Sequence, residues 1–276
     1  MKYMFFLGGH DLEMLTIRQR LQEHSIPFAD KGLDWGAKTS DYASEIDEAL
    51  QQGITPVCVE LEFDTQLCEP VGDINHHGNR SGEPASILQV LKWIGVKPFR
   101  HDELVAANDS GYIPAMLEMG ATDDEIYGIR LADRQAQGVT NQMEEEAEHS
   151  ISNRVERGGV VIVNLRYSNK CSPVTDRLFQ TWPNGKENLL VRCLTLAHEG
   201  ELDMYLESDA YDDVPYELNY FGPGDICKAV KEKFDGWGGG KGFGNPESQA
   251  FAGCRTTSKQ LEEMTKFIVG LNEAKK

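Results

Sequence analysis

The chain has 276 residues, 40% of them hydrophobic, with 45 acids against 27 bases and a formal net charge of -18. This length supports one large core or two modest ones, and two are favoured. The charge repels polyanions and leaves no basic stripe for a duplex, which excludes a long nucleic acid as an expected partner.

The chain opens on MKYMFFLGGHDLEM, whose apolar run stops at Gly8-Gly9 and is too short for a signal-peptide core or a membrane span. A cytoplasmic protein without a membrane partner is expected. Six cysteines, Cys58, Cys68, Cys171, Cys193, Cys227 and Cys254, are scattered with no C-x-x-C spacing. That pattern predicts reduced core thiols, neither a zinc cage nor a disulfide framework.

YMFFL reads as a buried strand, followed by a helix in which Leu12, Leu15, Ile17 and Leu21 recur on one side. A helix ending near Leu50 leads through Gly53 to a second strand, PVCVELEF, and VGDIN gives a third short apolar run. Pro84 suits the first turn of a helix over PASILQVLKWIG, with Gly95 at its end. Three further helical stretches follow, DELVAANDSGYIPAMLEMG, TDDEIYGIRLADRQAQG and NQMEEEAEHSISNRVERG. The last has little apolar stripe in its first half, as a solvated connecting helix would. After Gly158-Gly159 the pattern resets to strand candidates VVIVNLRY, NLLVRCLTL and ELDMYLES, a short helix GDICKAVKEKF, and the glycine-dense DGWGGGKGFGNPESQAFAGC.

Strands alternating with helices predict an α/β protein with a mostly parallel sheet flanked by helices in the N-terminal domain, over 1–140. A connecting helix over 141–157 and a smaller α/β domain over 158–276 complete the expected organisation, with a cleft between the domains.

In such sheets ligands collect at the carboxyl ends of the strands. The first strand delivers His10, Asp11 and Glu13 there, the second Glu60, Glu62 and Asp64, and the third Asn75, His76 and His77. Carboxylates and imidazoles converging on one rim suit a pair of divalent ions such as manganese or magnesium. Each residue also has a plain structural use. Asp11 can cap a helix, the strand-two acids can be a solvated face, and Asp109 can be a turn residue beside Ser110-Gly111.

An acid-x-acid pair after the first strand, an acid at the second strand's end, paired histidines before a helix, and the later Asp109 in LVAANDSGYIP together resemble the DHH phosphoesterase superfamily. The glycine-dense tail is similar to the Gly-Gly-Gly loop of the DHH-associated C-terminal domain, so the resemblance spans almost the whole chain. It implies metal ligation by Asp11, Glu13, His76 and Asp109, with Glu62 and Asp64 ranked above Glu60 as the strand-two ligand. It also implies catalytic roles for His77 and Asp109, and a substrate contact at Gly238, Gly239, Gly240 and Lys241.

Three departures stand out. Asn75 replaces the aspartate of the family's name, Glu13 replaces an aspartate, and His10 adjoins Asp11 where the family places its histidine further upstream. The implied function is metal-dependent hydrolysis of a phosphoester or phosphoanhydride in a small nucleotide-like substrate. The departures favour a rival, a degenerate member that binds a phosphorylated ligand or a protein partner without turnover.

Overall fold

Strands of three to five residues build the first sheet of the computed structural model, which describes residues 2–64, 72–80, 82–181, 188–194, 211–240 and 242–275. Two compact units result, Met1–Gly138 and Val139–Lys276.

The first unit holds a four-stranded, all-parallel sheet in the order β2-β1-β3-β4. Its strands are β1 (Tyr3–Leu7), β2 (Phe28–Asp30), β3 (Thr55–Val59) and β4 (Gly72–Ile74). Register is fixed by Phe5 opposite Phe28 and Val57, and by Val57 opposite Gly72. Phe6 and Cys58 pack with Tyr42, Ile46 and Ala49, the last two on α2 (Ala43–Gln51). α1 (Leu12–Glu23) buries Met14, Ile17 and Leu21. It packs against α3 (Ser86–Ile94), α4 (Arg100–Glu118) and α5 (Asp123–Ala136). Each fully buried side chain of this size contributes about 1.5–3 kcal/mol. A Cβ on Gly8 would meet the Glu60 carbonyl oxygen at 2.7 Å. Glycine therefore lets the ends of β1 and β3 close on each other, with Gly8 N donating to Val59 O at 2.9 Å.

α4 is two helices joined at a kink, where Gly111 is non-helical and Tyr112 takes φ 60°. β3 ends at Val59, four residues earlier than PVCVELEF predicts, because Glu60 turns the chain with a left-handed φ of 54°.

The second unit holds β5 (Val155–Arg157), β6 (Val160–Leu165), β7 (Asn188–Leu194), β8 (Pro215–Pro223), β9 (Trp237–Gly239) and β10 (Gln249–Thr257) in a mixed sheet of order β5-β6-β7-β8-β10-β9, in which only β6 and β7 pair in parallel. β6 is buried on both faces over Val160–Val163, which explains the apolar run there. Val160 and Ile162 face a cluster with α8 (Gly224–Phe234) and α9 (Ser258–Glu273), while Val161, Val163 and Leu165 face Ala147, Val174 and Leu178. Ala147 lies on α6 (Asn141–Ser152), and Val174 and Leu178 on α7 (Ser172–Thr181).

The expected connecting helix over 141–157 is corrected here. α6 stops at Ser152, Val155–Arg157 forms the edge strand β5, and Ala147 anchors the helix in the second unit's core. The nine-residue strand β8 (Pro215–Pro223), paired along its length with β10 (Gln249–Thr257), was not anticipated from the sequence. ELDMYLES lies outside the described residues.

Cys58, Cys193, Cys227 and Cys254 are buried free thiols, and burial pushes each of them up, Cys58 and Cys227 to about 12. Among the described residues no helix is long and apolar enough to cross a membrane.

Candidate metal centre

The carboxyl rim of the parallel sheet gathers a cluster of acids and imidazoles. β1 leads into Asp11, the N-cap of α1, whose Oδ1 accepts the Met14 amide at 2.9 Å. Glu13 follows in the first turn, buried, with Oε1 accepting the Ile87 amide at 3.0 Å and Oε2 turned to His76 Nε2 at 3.6 Å. The left-handed turn at Glu60 brings its Oε1 within 3.4 Å of His76 Nε2 and 3.2 Å of His77 Nε2. Ser86 Oγ donates to the same Glu60 oxygen at 2.8 Å. Asp109, just before the kink of α4, places Oδ2 2.5 Å from His76 Nε2.

Glu60, His76, His77 and Asp109 each offer one ligand atom, all within 4.8 Å of one another. Glu13 Oε2, His76 Nε2, His77 Nε2 and Asp109 Oδ2 are buried and have no hydrogen-bond partner beyond their ion-pair contacts with one another and with Glu60. Buried polar atoms are normally satisfied, and the three of these that lie in the ligand group, on His76, His77 and Asp109, are ones a cation would satisfy. Two imidazole nitrogens and two carboxylates form a donor set for a borderline divalent ion. The residues present fit such an ion.

The electrostatics point the same way. Burial raises Asp11 to about 7, helped by the charges of Asp109, Glu60 and Asp133 and opposed by the Met14 amide. Burial also drives Glu13 well above its ordinary range. Burial would raise Glu60 too, but His76, His77 and Ser86 hold it below. Burial opposes charge on His76, yet Asp109, Glu13 and Glu60 push it up to about 12. His77 is raised chiefly by Glu60. The carboxylates thus demand positive charge at the imidazoles, and a proton supplies it where a cation does not.

The placement of the sequence candidates divides clearly. His76, His77 and Asp109 come together, Glu13 adjoins them, and Asp11 borders them while capping α1. Glu62 and Asp64 lie elsewhere, contrary to their ranking above Glu60. Glu62 is exposed, and its backbone pairs with the chain at Ala37 and Thr39. Asp64 accepts Ser40 N at 3.0 Å, Ser40 Oγ at 2.6 Å and Thr39 Oγ1 at 3.0 Å, fixing a 3₁₀ turn. The parity argument assumed a strand running through Asp64, and the turn at Glu60 removes that premise. His10 is exposed.

The glycine-run expectation also changes. Gly238 and Gly239 belong to the edge strand β9 (Trp237–Gly239), paired with Ala252 and Phe251, so a concave nest of successive N–H groups does not form there. A Cβ on Gly238 would meet the Phe243 ring at 2.7 Å, which gives a packing reason for glycine. Gly240 turns the chain with φ 96°, and Lys241 lies outside the described residues.

Arg130, Asn108 and Asp133 were missed in the sequence. Arg130 Nη1 donates to Asn108 Oδ1 at 2.8 Å and Asp133 Oδ2 at 2.7 Å, and its guanidinium lies 4.5 Å from the centre of the Tyr112 ring. Asp133 Oδ1 in turn accepts the Leu12 amide at 3.4 Å. This network joins the α4 kink beside Asp109 to the start of α1 beside Asp11. Its only sequence signal is a pair of charges at helical spacing, Arg130 and Asp133, which surface helices carry as a rule.

No family model matches the chain, and no curated protein matches it. Among solved structures, a pGpG-specific phosphodiesterase from Vibrio cholerae is similar at 12% identity and TM-score 0.47, covering 99% of both chains. An uncharacterized protein from Helicobacter pylori is similar at 11% identity and TM-score 0.29, again covering 99% of both. At such scores neither likeness decides the chemistry.

Proposed function

We propose that this chain is a metal-dependent hydrolase of a phosphoester or phosphoanhydride bond in a small nucleotide-like substrate. The observation that carries the reading is the convergence of ligand atoms from Glu60, His76, His77 and Asp109, all within 4.8 Å of one another at the sheet's carboxyl rim. Glu60, His76, His77 and Asp109 would hold the ion, and their imidazoles favour manganese over magnesium. When bound, such an ion supplies an acidified water and a counter-charge for phosphoryl oxygens. The carboxylates of this chain would otherwise repel an anionic substrate. His77, with 38% of its side chain exposed against 5% for His76, is the more accessible of the two histidines, and in this reading it is the one that meets the substrate.

The non-catalytic alternative loses part of its motive. Asn75 Oδ1 accepts the His77 amide at 2.8 Å, a bond an aspartate would make in the same way, so the departure keeps the orienting contact. Glu13 uses its extra length to reach the Ile87 amide.

The test is hydrolysis of a phosphorylated dinucleotide and of a generic phosphodiester by protein purified without chelator, with manganese added or removed. Manganese-dependent turnover lost in His77→Ala is expected. Metal binding without turnover of either compound would leave the non-catalytic reading.

A further inference from the structure

A two-footed strap crosses the rim beside the metal centre. It begins at the end of β2, the outer edge of the sheet, where Lys31 N donates to Tyr42 Oη at 2.9 Å and Gly32 N to Asp30 Oδ1 at 2.8 Å. Tyr42 Oη itself donates to Leu7 O at 2.7 Å, tying this foot to β1. The other foot is Ala37 and Lys38, joined to the chain just after β3 through Glu62 N to Ala37 O at 2.8 Å and a bridge between Lys38 and Glu62. With neighbouring strands about 4.8 Å apart, the strap passes the carboxyl end of β1 on its way from β2 to β3.

Trp35 is set on this strap before Gly36, which turns the chain with φ 84°. The indole meets the His77 ring edge-on, with centroids 5.3 Å apart and planes at 71°. Yet Trp35 is 60% exposed. A tryptophan kept for packing buries most of its large apolar area, and this one gives most of it to water. Both feet of the strap are secured by backbone, Asp30 and Tyr42 contacts in which the indole takes no part. What the indole adds to a rim already crowded with carboxylates is an uncharged π surface beside a candidate metal ligand.

We infer that Trp35 is a stacking platform for the base of a nucleotide whose phosphoryl group sits at the Glu60, His76, His77 and Asp109 cluster. The inference rests on the proposed function and deepens it, because it restricts the substrate to phosphoryl compounds bearing an aromatic base. Stacking suits this place, since every base has a π face and no further charge is needed.

Calorimetry on manganese-loaded protein tests it, with adenosine and guanosine monophosphates and ribose phosphate as probes, on wild type, Trp35→Ala and Trp35→Phe. Wild type should bind the better of the two nucleotides about tenfold or more tightly than ribose phosphate. Trp35→Ala should lose that margin while binding ribose phosphate as before, and Trp35→Phe should keep most of it. Because the indole is exposed, circular dichroism and thermal midpoint should be unchanged in both variants. Equal nucleotide affinity in wild type and Trp35→Ala overturns the inference, as does a wild type that prefers neither nucleotide over ribose phosphate; both leave the proposed function standing. A wild type that binds manganese but none of the three probes overturns the inference and the proposed function together.

Discussion

Asp109 Oδ2 lies 2.5 Å from His76 Nε2, and neither atom has a hydrogen-bond partner outside the cluster they belong to. The two atoms come from separate elements, the loop after β4 and the α4 kink, so their approach is a tertiary outcome with no local cause. Two lone-pair donors at that distance need a proton or a cation between them. Manganese at a hundred times its dissociation constant should therefore add about 2.7 kcal/mol to wild-type stability. Asp109→Asn, which keeps shape and removes charge, should lose most of this gain in a thermal-shift titration. An equal gain in the variant would place the ion elsewhere.

Glu60 and Asp64 lie close in sequence and differ completely in use. Glu60→Gln should weaken manganese binding by about tenfold or more, since it removes a ligand charge and a contact to both histidines. Asp64→Asn should leave manganese affinity unchanged and lower the thermal midpoint, because it weakens the bonds that fix Thr39 and Ser40. The reverse pattern would restore the ranking expected from strand parity.

Arg130 connects the two elements that aim Asp109 and Asp11. Replacing this buried guanidinium with methionine takes an ion-pair partner from Asp133 and leaves it the neutral donors Leu12 N and Gln137 Nε2, and breaking such a pair costs about 3–5 kcal/mol. Urea unfolding of Arg130→Met should show a loss of that order. Adding Asp133→Asn should recover part of it. A single variant as stable as wild type would mean that the network is dispensable.

The parallel sheet and the histidine pair were legible because short apolar runs followed by polar residues mark strand ends, and strand ends mark the rim. Glu60 was obscured by an event the pattern does not encode, a left-handed turn that ends β3 four residues before its alternation does. β9 was hidden by its composition, since three glycines read as a loop until pairing with β10 makes a strand of two of them. Trp35 and Arg130 depend on exposure and on contacts between distant elements. Trp35 stands out only because it is left in water beside His77, and Arg130 only because it is not.

The central claim is a divalent ion held by Glu60, His76, His77 and Asp109, and the most direct measurement is anomalous scattering from a crystal of the wild-type protein soaked in manganese. The account predicts a strong anomalous peak in contact with His76 Nε2, His77 Nε2 and carboxylate oxygens of Glu60 and Asp109. A peak at Glu62 or Asp64, or none at this cluster under saturating manganese, would contradict it.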